Sequence, residues 1–142
     1  MATTTGSGVA NFSFTLKQGA DLTISMTWLN DAGAPMNLTG YSMKLEIRSY
    51  TGSPTTLLIL SSANNMGSYI ALGGTAGTIS LIFAHADTAG LSPVGLPTPG
   101  APIATGPRTY PLGVYDLQFI DPTGDIGYLL EGSVSLDAQV TV

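Results

Sequence analysis

A chain of 142 residues, 44% of them apolar, has the length of one domain around one core. Its nine Asp/Glu outnumber four scattered cations, Lys17, Lys44, Arg48 and Arg108, and the net charge of −5 excludes a nucleic-acid surface, where phosphates require clustered Lys and Arg. The same count argues against an anionic membrane surface, and the absence of cysteine excludes disulfides, thiolate nucleophiles and thiolate metal sites.

Residues 1–10 are small and polar, with neither a basic start nor an apolar run, and are read as a flexible arm rather than a signal peptide. Phe12, Phe14 and Leu16 then alternate with Ser13 and Thr15, the two-residue period of a half-buried strand. Leu22, Ile24, Met26 and Trp28 repeat the pattern, and the Gly between the two runs predicts a hairpin. A turn cluster over residues 30–35 leads to Met43, Leu45 and Ile47 facing inward, with Lys44, Glu46 and Arg48 on the solvent face.

Residues 51–54 form a second turn, and the unalternating apolar run 57–60 predicts a strand covered on both sides or lying at an interface. A short strand over 69–72, the glycine-rich turn 73–77 and the alternating Ile79, Leu81 and Phe83 follow. Residues 85–90 suit one helical turn closed by Gly90.

The stretch 91–111 holds five prolines between Ser92 and Pro107, three further glycines and no apolar period. It is expected to be a long Pro/Gly-rich loop and a contact arm, with Ser92, Pro93, Pro97, Pro99, Pro102, Pro107, Arg108 and Tyr110 as its protein-interaction residues. Tyr115, Leu117 and Phe119 alternate after it, Asp121 to Gly124 makes a turn, and 126–130 and 134–140 supply two closing strands. About eight short strands without a convincing helix predict an all-β fold, an immunoglobulin-like or jelly-roll-like antiparallel β-sandwich in which 11–142 form a single domain. No apolar run approaches the roughly 20 residues of a membrane-spanning helix.

The residue inventory is poor in chemistry. His85 is the one histidine, so a two-histidine metal site is impossible and a Ser-His-Asp relay would need it as base. Asp87, two residues on, cannot easily orient it, and no Gly-x-Ser-x-Gly elbow occurs. Asp116, Asp121, Asp125, Glu131 and Asp137 are candidates for paired acid and base work in a glycosidase-like cleft, although Asp121 and Asp125 flank a turn where Asp bonds its own backbone. Asp31 with Asp121 and Asp125 lacks the dense acidic loop of a calcium site, and residues 73–77 lack the Lys of a phosphate cradle. The glycosylation triplets at Asn11 and Asn37 arise readily by chance in a chain with 31 Ser/Thr. Trp28, Tyr41, Tyr69, Tyr110, Tyr115 and Tyr128 could form a sugar-stacking platform, but Trp28 is in phase with core residues. No catalytic, metal or cofactor residue is assigned, and no enzyme is expected.

Two stretches carry a resemblance: Leu38-Thr-Gly-Tyr-Ser-Met-Lys-Leu-Glu-Ile-Arg48, and Tyr115-Asp-Leu-Gln-Phe-Ile-Asp-Pro-Thr-Gly124 followed by Leu130-Glu-Gly-Ser-Val134. Together they resemble small β-sandwich structural proteins of tailed bacteriophages, and are similar to the N-terminal domain of phage baseplate upper proteins. In that family a first hairpin ends in a Trp strand like Thr27-Trp28, a Leu-Thr-Gly-Tyr turn opens a strand ending in Arg, and a closing Leu-x-Gly segment precedes the last strand. The resemblance spans Phe12 to Thr141 and rests on turn and core residues. Gly40 suits a turn with positive φ, Trp28 a sandwich core, and Gly132 a bend where the chain enters its last strand. The longer baseplate proteins carry a coiled-coil or receptor-binding region after the sandwich, and the sequence to Val142 is read as departing from them there.

The resemblance implies a non-enzymatic virion structural protein, a subunit assembling into the tail or baseplate. The expected partners are other virion structural proteins and further copies of the chain in a homo-oligomer, with no nucleic acid and no membrane. Its expected place is the virion, assembled in the host bacterial cytoplasm, with edge strands, the proline-rich loop and the N-terminal arm as contacts. Two alternatives stand beside it: a capsid decoration (cement) or fibre-base protein on the phage head, and a carbohydrate-binding module using Tyr110 or Tyr128 and the Asp-rich turns.

Overall fold

The computed structural model describes residues 9–91 and 109–139. The alternating runs become strands β1 (Ala10–Asn11), β2 (Phe14–Lys17), β3 (Leu22–Thr27), β4 (Ser42–Arg48), β5 (Thr56–Ser61), β6 (Tyr69–Leu72), β7 (Thr78–Phe83), β8 (Thr109–Ile120) and β9 (Ile126–Asp137). The single helical turn is α1 (His85–Thr88), and a 3-10 turn (Gly74–Ala76) joins β6 to β7 as the glycine-rich segment predicts. No helix among the described residues is long and apolar enough to cross a membrane.

Two sheets face each other. The larger runs β1-β9-β8-β4-β5, with β2 also on β9, and the smaller runs β3-β7-β6. The orders β9-β8-β4-β5 and β3-β7-β6 are those of a variable-type immunoglobulin sandwich. The larger sheet is mixed, because β1 and β2 run parallel to β9, while the smaller one is purely antiparallel.

The predicted first hairpin does not form. β2 pairs with β9 and β3 pairs with β7, so residues 18–21 carry the chain from one sheet to the other. That crossing is pinned on α1: the Gly19 N–H donates to Thr88 Oγ1 at 3.1 Å, and the Thr88 hydroxyl donates to Ala20 O at 2.9 Å. Thr88, fully buried, thereby satisfies groups that a loop would otherwise leave unpaired.

Three boundaries also differ from expectation. Residues 109–111 belong to β8, so Tyr110 is a strand residue and not part of a loop; Ser92, Pro93, Pro97, Pro99, Pro102, Pro107 and Arg108 lie outside the described residues. Ala10 belongs to β1 rather than to an arm, and residues 1–8 are outside the described range. The two closing strands are one, β9, in which the register moves from Leu117↔Leu130 to Gln118↔Tyr128 and leaves Leu129 as the extra residue of a bulge. β8 and β9 are accordingly long, at 12 residues each.

The core lies between the sheets, with Leu16, Leu45, Ile47, Leu60, Ile79, Leu81, Phe83, Leu117 and Leu136 at 0% exposure. Phe83 of the small sheet meets Phe14 at a ring separation of 5.5 Å, and Phe14 meets Tyr115 at 5.0 Å. Trp28 caps one end, 5.0 Å from Phe119 and 5.8 Å from Tyr41, as its phase with the core residues predicts. With no cysteine, no disulfide joins the sheets, and packing between their inner faces is their main tie.

Gly40 has the positive φ, +83°, that its turn requires. Gly132 has a different role from the predicted bend: it lies inside β9, where a Cβ would stand 2.3 Å from Phe12 O. β5 is the outer strand of the large sheet and is covered on one face only: Leu60 is buried while Ile59 is 48% exposed.

Candidate functional site

The outer face of the large sheet carries the polar half of each alternation. Lys44, Glu46 and Arg48 on β4 stand beside Gln118, Asp116 and Val114 on β8, which pair in turn with Tyr128, Glu131 and Ser133 on β9. Three cross-strand rows result, and the middle row sets Glu46, Asp116 and Glu131 side by side, continued by Asn11 on β1. Over these rows lies an open groove of about 1100 Å³, bounded by the turn at residues 51–54 and by Val9, Asn11 and Ser13. Tyr50 and Tyr128 line it, and they are 59% and 42% exposed.

Arg48 anchors one end. Its Nη1 donates to Ser53 O at 2.7 Å, holding the turn, and its Nη2 donates to Glu46. Lys44 Nζ lies 3.1 Å from the other carboxylate oxygen of Glu46. Partial burial disfavours the charge on Glu46, but the hydrogen bonds and charges of Arg48 and Lys44 outweigh it and hold the carboxyl below its usual value. Asp116 behaves oppositely. Burial, then the neighbouring charges of Glu46 and Glu131, push its carboxyl up, and Arg48 only partly offsets them.

The Asp116 shift has a pH consequence. An acid raised in the folded state binds its proton more tightly there than in the unfolded chain, so its ionisation destabilises the fold progressively as pH rises from about 3.8 through the raised value. Asp116→Asn is therefore expected to raise the thermal midpoint at pH 7 and to leave it nearly unchanged at pH 3, measured by circular dichroism. Equal effects at the two pH values would contradict this.

Of the carboxylates singled out from sequence, the fold brings Asp116 and Glu131 together and adds Glu46. Asp121 and Asp125 remain in the β8–β9 turn. Asp121 Oδ1 accepts from Thr123 Oγ1 at 2.7 Å, Thr123 N–H at 2.9 Å and Asp125 N–H at 3.0 Å, and these bonds hold its carboxyl below the usual value. This is the turn-forming role that their flanking positions suggest. Asp137 pairs with Lys17 at 3.5 Å. Among the described residues no group of His, Asp and Glu is arranged to hold a metal ion.

His85 is oriented by Asp21, not by Asp87: Asp21 Oδ1 lies 3.0 Å from His85 Nδ1 and accepts the His85 backbone N–H at 2.6 Å. These hydrogen bonds, the backbone one first, lower the Asp21 carboxyl. The Asp87 carboxylate instead accepts from the Ser68 hydroxyl at 2.5 Å. Both His85 and Asp21 side chains are about two-thirds or more exposed, at 68% and 72%, and neither lines the groove.

The tyrosines do not form one platform. Tyr115 is buried and donates its hydroxyl to Phe12 O, and burial pushes that hydroxyl well above its ordinary pKa. Tyr41 packs against Trp28, while Tyr69 and Tyr110 are half-buried on β6 and β8. Tyr128 alone of the group lines the groove as an exposed ring, with its hydroxyl accepting from Gln118 Nε2 at 3.1 Å. Tyr50 lies beyond the end of β4, outside any alternating run, and sequence reasoning passes over it.

No protein-family model matches the chain, and no curated protein matches it by sequence. Among solved structures, one of VGSC beta subunits, from work on their multimeric cell-adhesive interactions, is similar over 91% of this chain and 92% of that one, with 12% identity and a TM-score of 0.41. Neither activity nor partner passes through a likeness of that size.

Proposed function

We propose that the chain is a non-catalytic β-sandwich subunit of a tailed-bacteriophage particle, repeated in its tail or baseplate. The observation that carries the assembly role is the open edge at β5. Its six residues, Thr56-Leu-Leu-Ile-Leu-Ser61, include no charge and no proline, the usual guards of a free edge. The Ser62 N–H donates to Met43 O at 2.9 Å, and the antiparallel alternation from that pair turns the backbone of Leu58 and Leu60 toward β4 and that of Ile59 outward. Among the described residues no strand pairs with that side. A second copy related by a two-fold axis can add its own β5 there, continuing the sheet and covering the exposed Ile59.

The scarcity of long charged side chains supports this reading, because a surface rich in Ser and Thr has little charge to desolvate on assembly. The resemblance of residues 38–48 and 115–134 supports the phage setting. His85, held by an exposed Asp21 away from the groove carboxylates, supports a non-catalytic role.

Mass spectrometry of density-purified phage particles from the producing host is expected to find the chain in multiple copies per particle; its absence from particles would overturn the phage reading. Ile59→Lys is expected to weaken self-association by at least about tenfold in sedimentation equilibrium. The thermal midpoint of the variant should stay within about 1–2 °C of the parent at monomeric concentrations, because the side chain is half exposed. Undiminished association of the variant would remove the β5 edge as the contact.

A further inference from the structure

We infer that the groove on the outer face of the large sheet binds a neutral oligosaccharide. This goes beyond the assembly role and does not depend on it. At about 1100 Å³ the groove is at the upper end of small-ligand sites, yet it is open rather than enclosed, which suits an extended chain better than a compact, sequestered molecule. The Lys44 row and the Arg48 row stand four residues, or about 13 Å, apart along the strands, and Tyr50 lies past the Arg48 end while Tyr128 sits at the Lys44 end.

Two exposed tyrosine rings in one groove are the first clue. The C–H face of a pyranose ring carries slight positive charge and little affinity for water, and it complements the negative face of an aromatic ring. The second clue is the lining between them. Lys44, Arg48 and Gln118 offer donors, and Asp116 and Glu131 offer charged acceptors. A sugar hydroxyl both donates and accepts, so an alternating field of this kind suits it.

Charge selects among extended ligands. Glu46 lies between Lys44 and Arg48, whereas Asp116 and Glu131 stand beside it on the next two strands. A polyanion meets those two carboxylates, and a basic peptide meets Lys44 and Arg48, so each forms some contacts against repulsion. A neutral polyol meets neither penalty.

The test is titration of the full chain, by calorimetry and by amide shifts, with gluco-, xylo-, manno- and chito-hexaoses, alongside a heparin hexasaccharide and hexalysine. Saturable binding of at least one neutral hexasaccharide is expected, with shifts confined to the outer faces of β4, β8 and β9. Tyr128→Ala and Tyr50→Ala should each weaken it by about tenfold or more while retaining the parent melting curve, and Asp31→Asn, on an exposed turn away from the groove, should leave it unchanged. The inference is overturned if no neutral hexasaccharide binds, if only heparin or hexalysine binds, or if binding survives both tyrosine substitutions intact. Self-association is read separately, so a chain that assembles and binds no sugar refutes this inference without touching the proposed function.

Discussion

Replacing Phe83 with alanine is expected to lower the unfolding free energy by about 3–5 kcal/mol and the thermal midpoint by roughly 10 °C. Phe83 is fully buried on β7 and is the largest side chain at zero exposure. Its ring touches Phe14, which touches Tyr115, so one aromatic series spans the space between the sheets. Removing the first ring leaves a cavity that the close-packed core around it cannot fill without moving strands. Because no disulfide ties the sheets, the whole loss should appear in equilibrium denaturation. A change below about 1 kcal/mol would mean that the sheets are not held by this packing.

Gly132→Val is expected to destabilise by about 2–4 kcal/mol, the sum of overpacking and a lost, partly buried hydrogen bond. A Cβ at this position stands 2.3 Å from Phe12 O and 2.8 Å from Phe12 C, both backbone atoms that no rotamer change can move aside. Phe12 must retreat. In doing so it gives up the Tyr115 hydroxyl, which donates to its carbonyl, and the bond from its own N–H to Glu131 O at 2.9 Å. Hydrogen exchange should show β1 and β2 opening first, with Thr15 and Leu16 losing protection ahead of β8. Parent-like stability in Gly132→Ala would contradict the close approach.

The contrast between these two residues shows what a sequence carries. Phe83 is legible as core because Ile79, Leu81 and Phe83 keep a two-residue phase, which is local information. Gly132 is legible as special but not for its reason, since the atom that excludes a side chain belongs to a residue 120 positions earlier. Pairing partners are hidden in the same way. The alternation of Phe12, Phe14 and Leu16 specifies a buried face but not a neighbour, so the short link to Leu22 reads as a hairpin while β2 in fact lies parallel to β9. The bulge at Leu129 breaks the phase by burying two consecutive leucines, and one strand consequently reads as two.

The groove follows the same logic. That Lys44, Glu46 and Arg48 share a solvent face is legible from parity, as is the presence of Asp116 and Glu131 among candidate carboxylates. Their alignment in one row depends on the register across β4, β8 and β9, which no local pattern encodes. Tyr50 joins them through a turn that Arg48 holds by its bond to Ser53 O. The run 57–60 is the instructive case: a missing alternation suggests two covered faces or an interface, and the exposed Ile59 on the outer strand rules out the first.

The central claim, that this chain is built to join copies of itself, is tested most directly by multi-angle light scattering of the purified protein over a concentration series. The expected mass rises from 14.5 kDa to a defined multiple, with Ile59→Lys remaining near the monomer value across the same range. A parent protein that stays at the monomer mass up to millimolar concentration would contradict it.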